Sequence, residues 1–500
     1  MTKNFVPSPF QTAVYQHITE TNRNCVIDAV AGSGKSTTIV NALSLIPKNK
    51  TVLFLAFNKA IVEELKVKVG SLNNVEIKTL HSLGMGSIRK YYKTFVNASK
   101  YGKHINSGVK YGTITPDNEL EAKDLRTWRT NLIKLTDLAR NYLAVSALDV
   151  EEIANKHDVQ IIDNEAVRVI EIIMWGKSNV RTIDFTDMVW LPNVLKINVE
   201  QFDYVFIDEC QDLNTAQREL FLQTIKPETG RFIAVGDPRQ AIYGFTGADV
   251  ESFNKLKNLP NTDLLPLSVC YRCDSEIIDL AKAIVPQIQA HENAATGTID
   301  NNASIQDILD NDMVLCRVTA PLVALCMNFI ANSTKAYVKG RDIGLNLINM
   351  LEKTDRVMLT EAIDVIYSEL GTMCNKIAKR QGVSIDEAKE DAQYQSFRDR
   401  IKAIENLSYG LTTVNEAVNR IELIFKDTDK TGICLSTIHK AKGLEADRVF
   451  ILRPDKLYLK HCMKVDWMAE QERNLVYVAY TRAKHYLGFI TDFQDNNSDD

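Results

Sequence analysis

The stretch Ala29-Val30-Ala31-Gly32-Ser33-Gly34-Lys35-Ser36 has the residue types and spacing to hold a polyphosphate. Two glycines let the backbone approach phosphate oxygens, and N–H groups of such a turn point at the anion. Lys35 would reach the β- and γ-phosphates, and Ser36 would ligate Mg²⁺. Ala29 stands where the usual pattern has glycine, a small change in side-chain size. A second group lies far along the chain, where Phe202-Asp203-Tyr204-Val205-Phe206-Ile207 ends in Asp208-Glu209. A carboxylate at the end of a strand beside a phosphate loop can hold Mg²⁺, here Asp208. Glu209 is placed to polarise an attacking water. Together the two groups point to nucleoside triphosphate hydrolysis rather than passive binding.

Such residues need a strand before the glycine turn and a helix after it. Asn24-Cys25-Val26-Ile27-Asp28 reads as a short buried strand, and Thr37–Leu43 as a helix. Thr51–Ala56, Arg231–Gly236, Met313–Cys316 and Arg448–Leu452 read as further buried parallel strands. Helical patterns fill Ala122–Leu143, Asn164–Trp175 and most of Asp355–Phe425. The chain is therefore α/β, with two parallel-sheet cores, each interrupted by a mainly helical insertion. The expected boundaries are 1–82 and 184–265 for the first core, with 83–183 as its insertion. The second core takes 266–350 and 429–490, its insertion 351–428, and 491–500 reads as an acidic tail.

The 500 residues carry a net charge of −5, with 45% hydrophobic and 25% charged residues, enough apolar content for several domains. No apolar run reaches the roughly 20 residues of a membrane span, and Met1–Pro7 lacks the apolar core of a signal peptide. Nine cysteines lack metal-ligand spacing, Cys270 and Cys273 being the one C-x-x-C, which fits reduced thiols and a cytoplasmic setting. A nucleoid-associated protein, or one in a host cytoplasm, fits equally. Global charge hides a local feature. Between Ser87 and Pro116 stand Arg89, Lys90, Lys93, Lys100, Lys103 and Lys110, no acidic residue, and interleaved Tyr91, Tyr92, Phe95, Tyr101 and Tyr111. Cations for phosphates beside aromatics for bases suit single-strand binding; a solvated basic face with partly buried tyrosines is the alternative.

Further segments fall in one order. They are Gln11, Phe57-Asn58-Lys59-Ala60, Thr79-Leu80-His81-Ser82, Asp184-Phe185-Thr186-Asp187, Asp208-Glu209-Cys210-Gln211-Asp212 and Gly236–Ala248. Cys270-Tyr271-Arg272, Thr437–Glu445 and Glu472–Ala483 complete the set. This series closely resembles superfamily 1 DNA helicases of the UvrD/Rep/PcrA type, from about Gln11 to Leu487. The Phe57-Asn58-Lys59 form and compact length look more like the F-box DNA helicase branch, though no F-box is evident.

The resemblance implies two RecA-like cores that close on ATP and Mg²⁺. Its catalytic set would be Lys35, Asp208, Glu209, the γ-phosphate sensor Gln240, and the arginine fingers Arg272 and Arg482. Nucleotide contacts would come from Gln11 at the adenine edge, Ala31, Gly32, Ser33, Gly34, Lys35, Ser36 and Thr37. Tyr271 would stack on the base, and Glu445 would hold the ribose. Ser36 and Asp208 would be the metal ligands. DNA contacts would fall on Phe57, Asn58, Thr79, His81, Tyr243, Phe245, Thr437 and His439. Tyr243–Ala248 departs from the family's usual Tyr-Arg-Trp-Arg-Gly-Ala, so two positive charges are missing there. The implied activity is an ATP-dependent, 3′→5′ DNA helicase and single-strand translocase, monomeric, acting on single-stranded and tailed duplex DNA. Replication or repair proteins would load it, and no membrane is involved. A translocase that strips bound proteins but unwinds weakly, and a nucleotide-switched DNA-binding module, are the alternatives.

Overall fold

The computed structural model describes residues 6–70, 72–157, 159–242, 249, 251–425, 431–459, 462–464 and 466–493. The chain divides into two compact units: Met1–Ala29 with Gly34–Ser268, and Val30–Ser33 with Val269–Asp500. The first unit runs α1 (Pro9–Glu20), β1 (Asn24–Ala29), α2 (Lys35–Leu43), β2 (Val52–Ala56), α3 (Lys59–Val69), β3 (Val75–Thr79), α4 (Leu80–Arg89) and β4 (Phe95–Val96). It continues through α5 (Lys100–Tyr111), α6 (Ala122–Asn141), α7 (Ala147–Lys156), α8 (Glu165–Ser178), β5 (Thr182–Ile183) and α9 (Phe185–Val194). Then follow β6 (Tyr204–Ile207), α10 (Thr215–Gln223), β7 (Arg231–Gly236), α11 (Ser252–Lys257) and β8 (Thr262–Leu267).

Six parallel strands form its sheet in the order β3-β2-β6-β7-β1-β8. The inner strands β2 and β6 are apolar because both sheet faces are covered there, whereas the outer strands β3 and β8 carry Glu76, Lys78 and Asp263. Val26, Leu53, Leu55, Val205, Ile207 and Phe232 enter the core on one face. Cys25, Ile27, Phe54, Phe206, Ile233 and Val235 alternate onto the other.

The helical insertion α5–α8 has its own apolar core around Trp128, Leu132, Leu135 and Val169. Buried charge ties it to α9. Lys100 Nζ lies 2.7 Å from Asp187 Oδ2, the Tyr101 hydroxyl donates to Asp187 Oδ1 at 2.8 Å, and Arg140 pairs with Asp184 at 2.7 Å and Asp187 at 2.9 Å. This corrects part of the basic-run reading. Lys100 and Tyr101 are buried inside the unit, so neither is offered to a nucleic acid. Arg89, Lys90, Tyr91, Tyr92, Lys93, Phe95, Lys103, Lys110 and Tyr111 are exposed.

The second unit runs β9 (Val269–Cys270), α12 (Ser275–Lys282), β10 (Gln289–Ala290), β11 (Thr298–Asp300), β12 (Met313–Cys316), α13 (Ala320–Ala331), β13 (Ala336–Lys339) and α14 (Arg341–Glu352). It ends with α15 (Leu359–Gln381), α16 (Ile385–Ala388), α17 (Ala392–Ser408), α18 (Val414–Ile424), β14 (Ile433–Thr437), β15 (Ala446–Leu452), α19 (Asp466–Tyr480) and β16 (Ala483–Ile490). Its six-stranded parallel sheet is ordered β11-β16-β15-β12-β14-β13.

The helical pattern after Asp355 is cut where local chemistry stops a helix. Gly382 takes a left-handed φ of 66° at the end of α15. Ser384 with Glu387, and Thr413 with Glu416, form capping boxes that open α16 and α18. Unlike the first insertion, α17, α18 and the first half of α15 share one apolar core with the sheet, while the end of α15 and α16 form a small separate cluster around Cys374, Ile377 and Ala388. Leu347, Ile404 and Ile421 pack in the same cluster as Val314, Leu435 and Phe450. Among the described residues, no helix is long and apolar enough to cross a membrane.

Candidate functional site

In the first unit the singled-out residues gather at the C-terminal ends of the parallel strands, where open α/β sheets bind ligands. Gly34 opens α2 with a φ of 75° and has no side chain to cap the first turn. The N-terminal N–H groups of α2 therefore lack a side-chain cap, the arrangement that receives an anion. Lys35, Ser36 and Thr37 form that turn. The Lys35 ammonium lies 3.3 Å from Glu209 Oε1. Burial pushes its pKa down, but the carboxylates of Glu209, Asp208 and Asp237 outweigh this and raise it.

Asp208 and Glu209 follow β6, and the Glu209 N–H donates to Asp208 Oδ1 at 2.9 Å. Glu209 holds a left-handed φ of 52°, a conformation that costs a non-glycine residue about 1–3 kcal/mol. That turn aims its carboxylate at Lys35. Gln240, in the turn after β7, donates from Nε2 to Asp237 Oδ2 at 2.8 Å. Gln11 sits in the first turn of α1, and its amide donates to Thr38 Oγ1 at 2.9 Å. Among the described residues, no cluster of three or more His, Cys, Asp or Glu could hold a metal by itself. Mg²⁺ keeps most of its waters and leans on phosphates plus one or two carboxylates, so the expected ligands Ser36 and Asp208 would need no such cage.

Phe57, Asn58, Thr79 and His81 lie at this same end of the sheet, after β2 and β3. Phe57 is 44% exposed after β2. Asn58 caps α3 through Ile61 N–H at 3.0 Å, and Thr79 caps α4 through Ser82 N–H at 3.1 Å. His81, whose pKa is lowered by burial, shares a small cavity with Phe57, Leu80, Asp208 and Gln217. This cavity joins the expected DNA contacts to the expected metal ligand. Tyr243 and Phe245 lie outside the described residues.

Within the second unit, Tyr271 N–H donates to the Gly32 carbonyl at 2.8 Å, and Ala31 N–H donates to the Tyr477 hydroxyl at 2.8 Å. Gly32 has a φ of 66°, and a Cβ there would lie 2.7 Å from Arg272 Cβ, so only glycine fits. Ser33 Oγ is buried without a hydrogen-bond partner among the described residues. The Tyr271 ring is half-exposed and packs on His291. Arg272 Nε donates to Glu445 Oε2 at 2.6 Å, and Glu445 also faces Lys484 at 3.5 Å. Arg482 is buried; it donates to the carbonyls of Val478 at 2.9 Å and Leu444 at 3.0 Å. Thr437 ends β14 and accepts from Lys440 N–H at 3.4 Å. Burial, with Arg317 and Lys440 nearby, pushes the His439 imidazole down to about 3.

The UvrD/REP helicase N-terminal domain model matches residues 10–261, and the UvrD-like helicase C-terminal domain model matches residues 347–494. The chain belongs to the UvrD/Rep helicase family. Similar proteins include F-box DNA helicase 1 of Gallus gallus, 23% identical over 95% of this chain and 48% of its own length. F-box DNA helicase protein 1 of Schizosaccharomyces pombe is 23% identical over 92% of this chain and 55% of its own. ATP-dependent DNA helicase PcrA of Staphylococcus epidermidis is 22% identical over 93% and 81%. The chain spans about half the length of the two F-box relatives it matches.

In this UvrD/Rep family chain, geometry adds residues that the motif reading passed over. Ser8 N–H donates to Gln11 Oε1 at 2.9 Å, and Ser8 Oγ accepts from Gln11 N–H. The Ser-x-x-Gln spacing is the sequence signal for that capping box. Arg239 pairs with Asp28 at 2.7 Å and Asp237 at 2.8 Å, a contact no local spacing announces.

Proposed function

We propose that this chain is an ATP-dependent DNA helicase and single-stranded DNA translocase that moves 3′→5′. The observation that carries this reading is the facing pair of Lys35 and Glu209, beside Asp208 and the uncapped start of α2. Lys35 and the first-turn N–H groups of α2 bind the triphosphate, with Ser36 and Asp208 ligating Mg²⁺. Glu209 orients and polarises water for attack on the γ-phosphorus, and Gln240 senses that phosphate. Arg272 and Arg482 neutralise charge as the phosphoryl group leaves. Gln11 reads the adenine, Tyr271 stacks on it, and Glu445 turns from Arg272 to the ribose.

The four-part division given above is retained in this reading, two RecA-like cores and two helical insertions. Phe57, Asn58, Thr79, His81, Tyr243, Phe245, Thr437 and His439 contact the tracked strand. The exposed Arg89, Lys90, Tyr91, Tyr92, Lys93 and Phe95 support a nucleic-acid substrate, since they present cations beside ring faces. Strand displacement on duplexes with a 3′ or a 5′ single-stranded tail tests the proposal. Unwinding of the 3′-tailed duplex alone is expected. Unwinding from the 5′ tail overturns the polarity, and no displacement of either while ATP is consumed favours a protein-stripping translocase.

A further inference from the structure

Gln211 has no part in the roles assigned above, yet its amide is fixed from both ends. It lies in the turn Cys210–Asp212 directly after Glu209 and is fully buried. The Asp237 backbone N–H can only donate, so the atom 3.0 Å from it is the carbonyl oxygen Oε1. Nε2 must then face the other way. It donates to Glu209 Oε2 at 2.5 Å and, more distantly, to Asp212 Oδ2 at 3.4 Å. The fit depends on Gly236, because a Cβ there would stand 2.4 Å from Gln211 Oε1.

The two groups so joined are those on which hydrolysis would turn. Glu209 is gripped on Oε1 by Lys35 at 3.3 Å and on Oε2 by Gln211. Asp237, whose N–H Gln211 receives, in turn accepts from Gln240 Nε2 at 2.8 Å and pairs with Arg239. One buried amide thus spans the end of β6 and the turn after β7.

We propose that Gln211 is a positioning residue for ATP hydrolysis, holding the Glu209 carboxylate in register with the Asp237–Gln240 turn. Movement of Gln240 on the γ-phosphate is passed through Asp237 and Gln211 to Glu209. The proposal rests on the hydrolytic reading of the site. It requires only that Gln211 orient Glu209; it makes no contact with the reacting atoms itself.

The test uses the full chain and the variants Gln211→Met and Gln211→Glu. Readouts are kcat and KM for ATP with saturating single-stranded DNA from pH 5.5 to 8.5, and the melting temperature. Gln211→Met should lose about 10²-fold in kcat, the scale of a slightly misplaced reacting group, with KM within about twofold. In Gln211→Glu the new carboxyl can donate to Glu209 only while protonated. Its kcat relative to wild type should therefore rise as pH falls, while Gln211→Met shows no such trend. Unchanged kcat in Gln211→Met, or parallel pH profiles for the two variants, would overturn the proposal. Absence of ATP hydrolysis by the wild-type chain would instead overturn the hydrolytic reading, and this inference with it.

Discussion

Lys35 Nζ and Glu209 Oε1 face each other at 3.3 Å, although 174 positions separate them in the chain. The glycine turn after β1 delivers one, and a left-handed residue after β6 delivers the other. Asp208 and Asp237 stand near enough to raise the pKa of the buried ammonium. Arg239 pairs with Asp237 at 2.8 Å, while Lys35 faces Glu209, and on the proposed reading an entering polyphosphate would take over the pairing that Glu209 holds.

Lys35→Ala is expected to lower ATP turnover by at least about 10²-fold, the usual loss when a charge-stabilising donor is removed. Single-strand affinity, measured by fluorescence anisotropy, should stay within about threefold. Equal losses of both would contradict separate nucleotide and DNA sites.

The Gln11 amide is clamped by Ser8 and Thr38, which leaves one N–H and one oxygen lone pair for a base. Adenine offers N7 as acceptor and N6–H as donor, whereas guanine offers two acceptors. Thr38→Val removes the acceptor Oγ1 that fixes this orientation. The ratio of kcat/KM for ATP over GTP should fall roughly tenfold, on the order of one hydrogen bond, and Thr38→Ser should keep it. An unchanged ratio in Thr38→Val would show that Gln11 does not depend on this clamp.

His439 is pushed down to about 3, chiefly by burial, so it is neutral at pH 7. Any phosphate contact it makes is a hydrogen bond without charge, and releases no counterion. His439→Gln should weaken single-strand binding while leaving the slope of log K against log salt unchanged. A slope reduced by about 0.7 would mean a charged imidazole there.

Glu165 opens α8 fully buried, and burial raises its pKa from 4.5 to about 7, against opposing hydrogen bonds from Ile162 N–H and Asn131. The folded state thus prefers the protonated carboxyl. Stability from this group is complete below about 4.5 and is lost as pH rises toward 7. Glu165→Gln should therefore gain on wild type between pH 5 and 8, by on the order of 1–3 kcal/mol in denaturant unfolding. A stability difference independent of pH would contradict the buried-acid account.

Legibility in the sequence followed how local the physics is. Asn24–Asp28 and Met313–Cys316 were readable as strands because both faces of each sheet are covered, which leaves short continuous apolar runs. The glycine turn that opens α2 was readable because Gly32, Gly34 and Lys35 lie within four residues. Lys100 and Tyr101 were misread because their partner, Asp187, lies 87 and 86 positions away, and a local charge count omits it. Gln211 stood in plain view within Asp208–Asp212, but its role depends on the Asp237 N–H from another strand end. The shared core of α14, α15, α17 and α18 with the second sheet was equally hidden, since periodicity marks an apolar face but not what covers it.

Steady-state ATP hydrolysis with and without single-stranded DNA, across a salt titration, tests the central claim most directly. The account predicts strong stimulation by the strand that fades as salt rises and phosphate contacts are screened. Tight DNA binding with no change in turnover would contradict it, because the sites at Lys35–Glu209 and at Phe57–His81 would then be uncoupled.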